Sequence, residues 1–103
     1  MSPKPEPLSA TEAATLLTDL PGWAIADGVL TKVYETKGWP FTMLVVGAIA
    51  FLAESADHHP DLIVTWPRVT VKLSTHDAGG SLTKRDFDLA RKIEETVRTR
   101  LVK

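Results

Sequence analysis

Cysteine is absent from all 103 residues. Its absence removes disulfide scaffolds, cysteine-containing zinc sites, cysteine nucleophiles and cysteine-ligated iron–sulfur clusters. An excess of one charge is also missing: 12 basic residues meet 13 acidic ones, for a formal net charge of −1. A chain so balanced has no electrostatic footprint for general nucleic-acid binding. Long hydrophobic runs are scarce. The longest, from Phe41 to Ala53, falls short of the ~20 residues of a bilayer span. No apolar run follows Lys4, so no secretory signal is read, the default location is the cytoplasm, and no membrane is expected as a partner. What remains for chemistry is histidine, carboxylates, hydroxyls and backbone. The 44% hydrophobic share is too high for a disordered chain, and the length fits one domain.

Residues 1–7 hold three of the seven prolines and read as an extended, mobile tail ahead of a single domain over 8–103. Ser9 and Glu12 form a capping box. Ala10, Ala13, Leu16, Leu17 and Leu20 follow at helical spacing, and Pro21-Gly22 is expected to stop that helix. Trp23 to Ile25, the turn signal Asp27-Gly28 and the alternating Val29 to Glu35 predict a hairpin. Pro40 sits in a first helical turn, and Phe41 to about Asp57 reads as a helix apolar nearly all round, ended by Pro60. One face of it is expected to meet the sheet and another a second subunit. Leu62 to Trp66 and Val69 to Ser74 predict two further strands, separated by Pro67. Thr83 and Asp86 form a second capping box, opening a helix with Phe87, Ala90, Ile93, Val97 and Leu101 on one stripe and basic residues toward its end. The order α-β-β-α-β-β-α predicts an α+β fold, a four-stranded antiparallel sheet with three helices packed on one face.

All three histidines, His58, His59 and His76, lie at element ends, with Glu54, Asp57, Asp61, Asp77, Asp86 and Asp88 nearby in sequence. Each has an ordinary reading. Histidines at a helix C-terminus suit the dipole. A loop histidine is commonly solvated, Asp86 serves as a cap, Glu54 can be a polar helix edge, and Trp66 can be core or interface. Taken together, three imidazoles and a carboxylate can carry general acid–base catalysis near neutral pH without a nucleophile or cofactor. Zinc binding is the rival. Adjacent histidines point apart, however, and no His-x-x-x-His pair is present. No Gly-x-Ser-x-Gly elbow, P-loop or dinucleotide fingerprint occurs either.

The composite Glu54-x-x-x-His58-His59-Pro60, Trp66, His76 and Gly80-x-Leu82-Thr83-x-x-Asp86 resembles the signature of the pterin-4a-carbinolamine dehydratases. Gly22-Trp23, Ser74-Thr75-His76-Asp77 and Asp88-Leu89-Ala90 extend the resemblance over roughly residues 8 to 98. The loop from Asp77 to Arg85 is slightly longer than the family's pattern. The resemblance implies a metal-free dehydration of 4a-hydroxytetrahydrobiopterin, or a related 4a-hydroxytetrahydropterin, to the quinonoid dihydropterin. That reaction recycles the pterin of aromatic amino-acid hydroxylases and uses no cofactor. It further implies His58, His59 and His76 as catalytic residues, Glu54, Pro60, Trp66, Ser74, Thr75 and Asp86 as substrate-binding ones, with Trp66 as the pocket aromatic. Homodimers or homotetramers are implied as well. The alternative is a non-catalytic binding, assembly or regulatory module on the same fold.

Overall fold

The computed structural model describes residues 5–98. Residues 1–4 of the Pro-rich segment, and Leu101 with the basic residues after Arg98, lie outside them. The elements are α1 (Ala10–Leu17), β1 (Ala24–Ala26), β2 (Val29–Glu35), α2 (Trp39–Ala56), β3 (Asp61–Thr65), β4 (Arg68–Leu73) and α3 (Lys84–Thr96), with a 3-10 turn at His76–Ala78 before α3. All sheet neighbours are antiparallel, in the order β1-β2-β4-β3. The expected α+β architecture is the observed one.

Alternation decides which side of the sheet is covered. Leu30 and Tyr34 of β2 pair with Leu73 and Val69 of β4, and all four are buried beneath the helices. The intervening row, Val33 opposite Thr70 and Thr70 opposite Ile63, faces away, with Val33 and Ile63 exposed. Leu62 and Val64 of β3 continue the covered face at half burial. The β1–β2 turn holds Asp27 at φ 53° and Gly28 at φ 75°, the left-handed pair of a tight hairpin.

Both capping boxes form, Ser9 with Glu12 and Thr83 with Asp86. The first helix is shorter than its apolar spacing suggested. α1 ends at Leu17, because the Thr18 hydroxyl donates to the Thr15 carbonyl (2.6 Å) and the chain tightens into turns. Leu20 is buried from that turn rather than from the helix. α2 ends at Ala56, within a residue of the expected end, and a cap rather than Pro60 stops it. Asp57 adopts the left-handed conformation (φ 50°), and the Asp57 and His58 amides close on the carbonyls of Glu54 and Ala53. This cap delivers the His58 ring directly beyond the helix end.

α2 packs against α3, β4 and β3. Its inner positions Thr42, Val45, Ile49 and Ala53 are fully buried, or nearly so. Met43, Leu44 and Phe51, on the side expected to meet a second subunit, are exposed within one chain. By length and composition alone the helix would be apolar enough to cross a membrane; here one face of it forms part of the core. α3 buries Phe87, Ala90, Ile93 and, just beyond its end, Val97, as the stripe predicted.

Candidate active site

Three element ends converge on one cavity. The α2 cap brings Asp57, His58 and His59, the end of β4 brings Ser74 and Thr75, and the following turn brings His76 and Asp77. Arg85, in the first turn of α3, closes the rim of this space of about 210 Å³. Chain geometry explains the convergence. The Thr75 amide donates to the Ser81 carbonyl in an isolated bridge, and Gly79 and Gly80, both at positive φ, reverse the chain between them. The His76 turn therefore stands at the sheet end beside the start of α3.

The three histidines have different surroundings. His58 is buried, with Nε2 2.6 Å from Oδ1 of Asp86. Asp86 has no solvent exposure, and its Oδ2 accepts from the Thr75 hydroxyl (2.8 Å) and the Thr83 amide (2.9 Å). His59 lies in the open, its Nε2 2.9 Å from Oε1 of the exposed Glu54. His76 is exposed at the mouth. The site thus combines one clamped imidazole with two accessible ones, an arrangement suited to orienting a substrate while protons move at its edge.

The other residues singled out from sequence fall as follows. Ser74 is half-buried in the lining and Thr75 is buried in it. Pro60 follows the cavity at half burial and leads into β3. Asp86 stands behind His58 rather than in the lining. Trp66 is not brought to this cavity by its own chain. It is 67% exposed on the β3–β4 turn, and its carbonyl accepts from Thr42 near the opposite end of α2. The helix between separates it from His58 by about 20 Å.

Arg85 was not anticipated as a cavity residue; its place on α3, nine positions after His76, gives no local signal. A second polar cluster was also missed. Oε1 of Glu94, on α3, accepts from the Trp23 indole N–H (3.0 Å) and the Tyr34 hydroxyl (2.6 Å), while Oε2 lies 3.4 Å from Arg98. Burial pushes the Glu94 carboxyl up, but the hydrogen bonds from Tyr34 and Trp23, helped by the charges of Lys32 and Arg98, outweigh it and hold the group below its ordinary value. Burial, and then the bond to Glu94 and its charge, push the Tyr34 phenol up, so it remains a donor. The available signal was a glutamate four positions after Ala90, on the buried stripe of α3. A larger cavity of about 520 Å³, between α1, the β1–β2 turn and the Gly79–Gly80 segment, is walled mainly by Leu8, Ala13, Leu17, Ile25 and Leu82 and brings no histidine.

Comparison with known proteins gives a consistent picture. Residues 6–96 match the family model described as pterin 4 alpha carbinolamine dehydratase. A protein of Aquifex aeolicus, provisionally named a pterin-4-alpha-carbinolamine dehydratase, is 47% identical over 91 residues, covering 88% of this chain and 91% of the relative. One from Nocardia farcinica with the same provisional name is 44% identical over 93 residues, covering 90% and 97%. The crystal structure of a transcriptional coactivator/pterin dehydratase from Brucella melitensis superimposes with a TM-score of 0.81 at 30% identity, covering 86% of this chain and 96% of that one. A pterin dehydratase-like protein described as a RuBisCO assembly factor of the alpha-carboxysome shares the fold, with a TM-score of 0.56 at 18% identity, over 70% and 82% of the two chains.

Proposed function

Because the chain belongs to the pterin 4 alpha carbinolamine dehydratase family, a family of hydro-lyases, we propose that it dehydrates a 4a-hydroxytetrahydropterin to the quinonoid dihydropterin and water. The observation that carries this reading is the single cavity shared by His58, His59 and His76. Expelling the C4a hydroxyl needs a proton donor, and forming the new C=N bond needs a proton taken from a ring nitrogen. His59 and His76, the accessible imidazoles, handle these two protons. His58 orients the pterin, Asp86 acts through His58, and Glu54 steers His59. Ser74 shapes the wall, and Pro60 fixes the chain that leaves it. At about 210 Å³ the cavity is smaller than the usual ~300–1,000 Å³ of small-molecule sites, so it takes the reacting edge of the heterocycle rather than the whole of it. Recycling the pterin of an aromatic amino-acid hydroxylase is the fitting role.

The test generates the 4a-carbinolamine with a hydroxylase and follows its decay by absorbance. Catalytic amounts of the protein should raise the rate well above the spontaneous one. An unchanged rate overturns the reading and returns the non-catalytic module to first place.

The exposed stripe of α2 supports self-association as part of the same proposal. Met43, Leu44 and Phe51 lie on one side of the helix with Gly47 and Ala50 between them, so a second copy could approach closely. In a two-fold interface each residue counts twice. Removing a Phe worth ~1.5–3 kcal/mol of burial from both sides should therefore weaken the dimer about 10²-fold or more. The Phe51→Glu variant should run as a monomer in light scattering at concentrations where the parent is a dimer or tetramer. A monomeric parent overturns the proposal.

A further inference from the structure

We infer that the Thr75 and Thr83 hydroxyls, acting through Asp86, hold His58 in a single tautomer, with the proton on Nε2 and the lone pair on Nδ1. That Nδ1 lone pair is then the acceptor His58 offers to an N–H of the pterin. The tautomer follows from the hydrogen-bond geometry around an ionised Asp86; its use on a pterin rests on the dehydratase reading.

Proton accounting leads there. The Arg85 amide donates to Thr83 Oγ1 (3.2 Å), and the Thr83 amide donates to Asp86 Oδ2 (2.9 Å). The Thr75 hydroxyl donates its one proton to the same Oδ2 (2.8 Å). Thr75 Oγ1 can then only accept from Thr83 Oγ1, 2.6 Å away. Each hydroxyl proton now has one direction, and the chain runs from Thr83 through Thr75 to the carboxylate. Oδ2 holds two donors, and Oδ1 meets His58 Nε2 at 2.6 Å. An ionised carboxylate has acceptors only, so the proton in that contact sits on Nε2. A neutral imidazole carries one N–H, which leaves Nδ1 unprotonated. The opposite tautomer would set lone pair against lone pair at this distance in a buried site, with no solvent to relieve it.

The supports of this clamp are themselves fixed. Thr83 and Asp86 are the N-cap and N3 residues of α3, so the carboxylate that orients the histidine also caps the helix. Thr75 is pinned by its bridge to Ser81, and the His58 backbone by the α2 cap. Thr75 lines the cavity, yet its hydroxyl is committed inward; it is a positioning residue. Fixing a ring tautomer through its second nitrogen is a general device of sites that use imidazole.

Long-range proton–nitrogen NMR on the nitrogen-15-labelled full chain tests this at a pH where the His58 ring is neutral. The expected pattern is a pyrrole-like Nε2 and a pyridine-like Nδ1, without averaging. A pattern protonated at Nδ1, or an averaged one, overturns the inference. The Thr75→Val variant should move both nitrogens toward the average and lower kcat/KM about 10-fold, the lower end for lost outer partners of a functional histidine. The Thr75→Ser variant, which keeps the hydroxyl, should restore both. Unchanged nitrogens in Thr75→Val, or no recovery in Thr75→Ser, overturn the role of Thr75. If Thr75→Val does not fold, the parent and Thr75→Ser spectra still decide, because both must show protonated Nε2. If the parent lacks dehydratase activity but shows the expected spectra and their loss in Thr75→Val, the positioning is upheld and only the dehydratase reading falls.

Discussion

The His76→Ala variant is expected to lower kcat for carbinolamine dehydration by about 10²-fold or more, the size of a positioned acid or base contribution, with almost no loss of stability. His76 is exposed at the cavity mouth, and its backbone carbonyl, which accepts from the Gly79 amide, survives the substitution. Surface changes of this kind stay within about 0.5 kcal/mol, or about 2–4 °C in Tm for a domain of this size. The same substitution at His58 would not be diagnostic. It leaves the fully buried Asp86 carboxylate without its Oδ1 partner, and breaking a buried pair from one side costs about 3–5 kcal/mol. His59 resembles His76, since its pairing with Glu54 is open to water. Carbinolamine decay and thermal melts on the three variants separate the cases. A His76→Ala protein that turns over at the parent rate would remove this histidine from the chemistry.

The largest expected stability effect lies away from that cavity. The Glu94→Ala variant removes the shared acceptor of the Trp23 indole N–H and the Tyr34 hydroxyl and strands both buried donors. Hydrogen bonds to a charged group are worth ~1.5–3 kcal/mol each. A loss of about 3–6 kcal/mol follows, at least about 12 °C in Tm, from a total that is ~5–15 kcal/mol for domains generally. The Glu94→Gln variant keeps an oxygen able to accept from both donors and should lose less. The acid limb carries a further signature. The Glu94 carboxyl is held below its ordinary value when folded, against burial, by Tyr34, Trp23 and the nearby cations. Its contribution is therefore fully present above the unfolded value of about 4.3 and is lost as pH falls through the lower folded value. Urea unfolding across the acid range should show the parent converging on Glu94→Gln as pH falls. Parallel curves, or a Glu94→Ala melt within a few degrees of the parent, would contradict the account.

Much of the scaffold is legible in the sequence. Ser9 with Glu12, Thr83 with Asp86, Asp27-Gly28 and the alternation through Val69, Val71 and Leu73 all act over a few residues, and all appear where their spacing put them. The end of α1 was not legible, because the apolar stripe ran on to Leu20 while a threonine hydroxyl at position 18 competed for the backbone. Trp66 enters the site only through the family resemblance; within one chain a strand separates it from His59 and carries it to the other end of the sheet. Glu94 sits on the buried stripe of α3, but nothing local shows that Trp23 and Tyr34 converge on it.

The residues alone therefore determined the helices, strands and turns, the covered side of the sheet, and the proximity of three histidines to element ends. Periodicity, caps and turn residues are local, and their physics can be summed along the chain. Only the tertiary structure decided which imidazole is clamped and which are open. The His58–Asp86 contact spans 28 positions, and the bonds from Tyr34 and Trp23 to Glu94 span 60 and 71. Such pairings follow from how α2, α3 and the sheet pack, where a shift of one helical turn would hand the same carboxylate to a different partner.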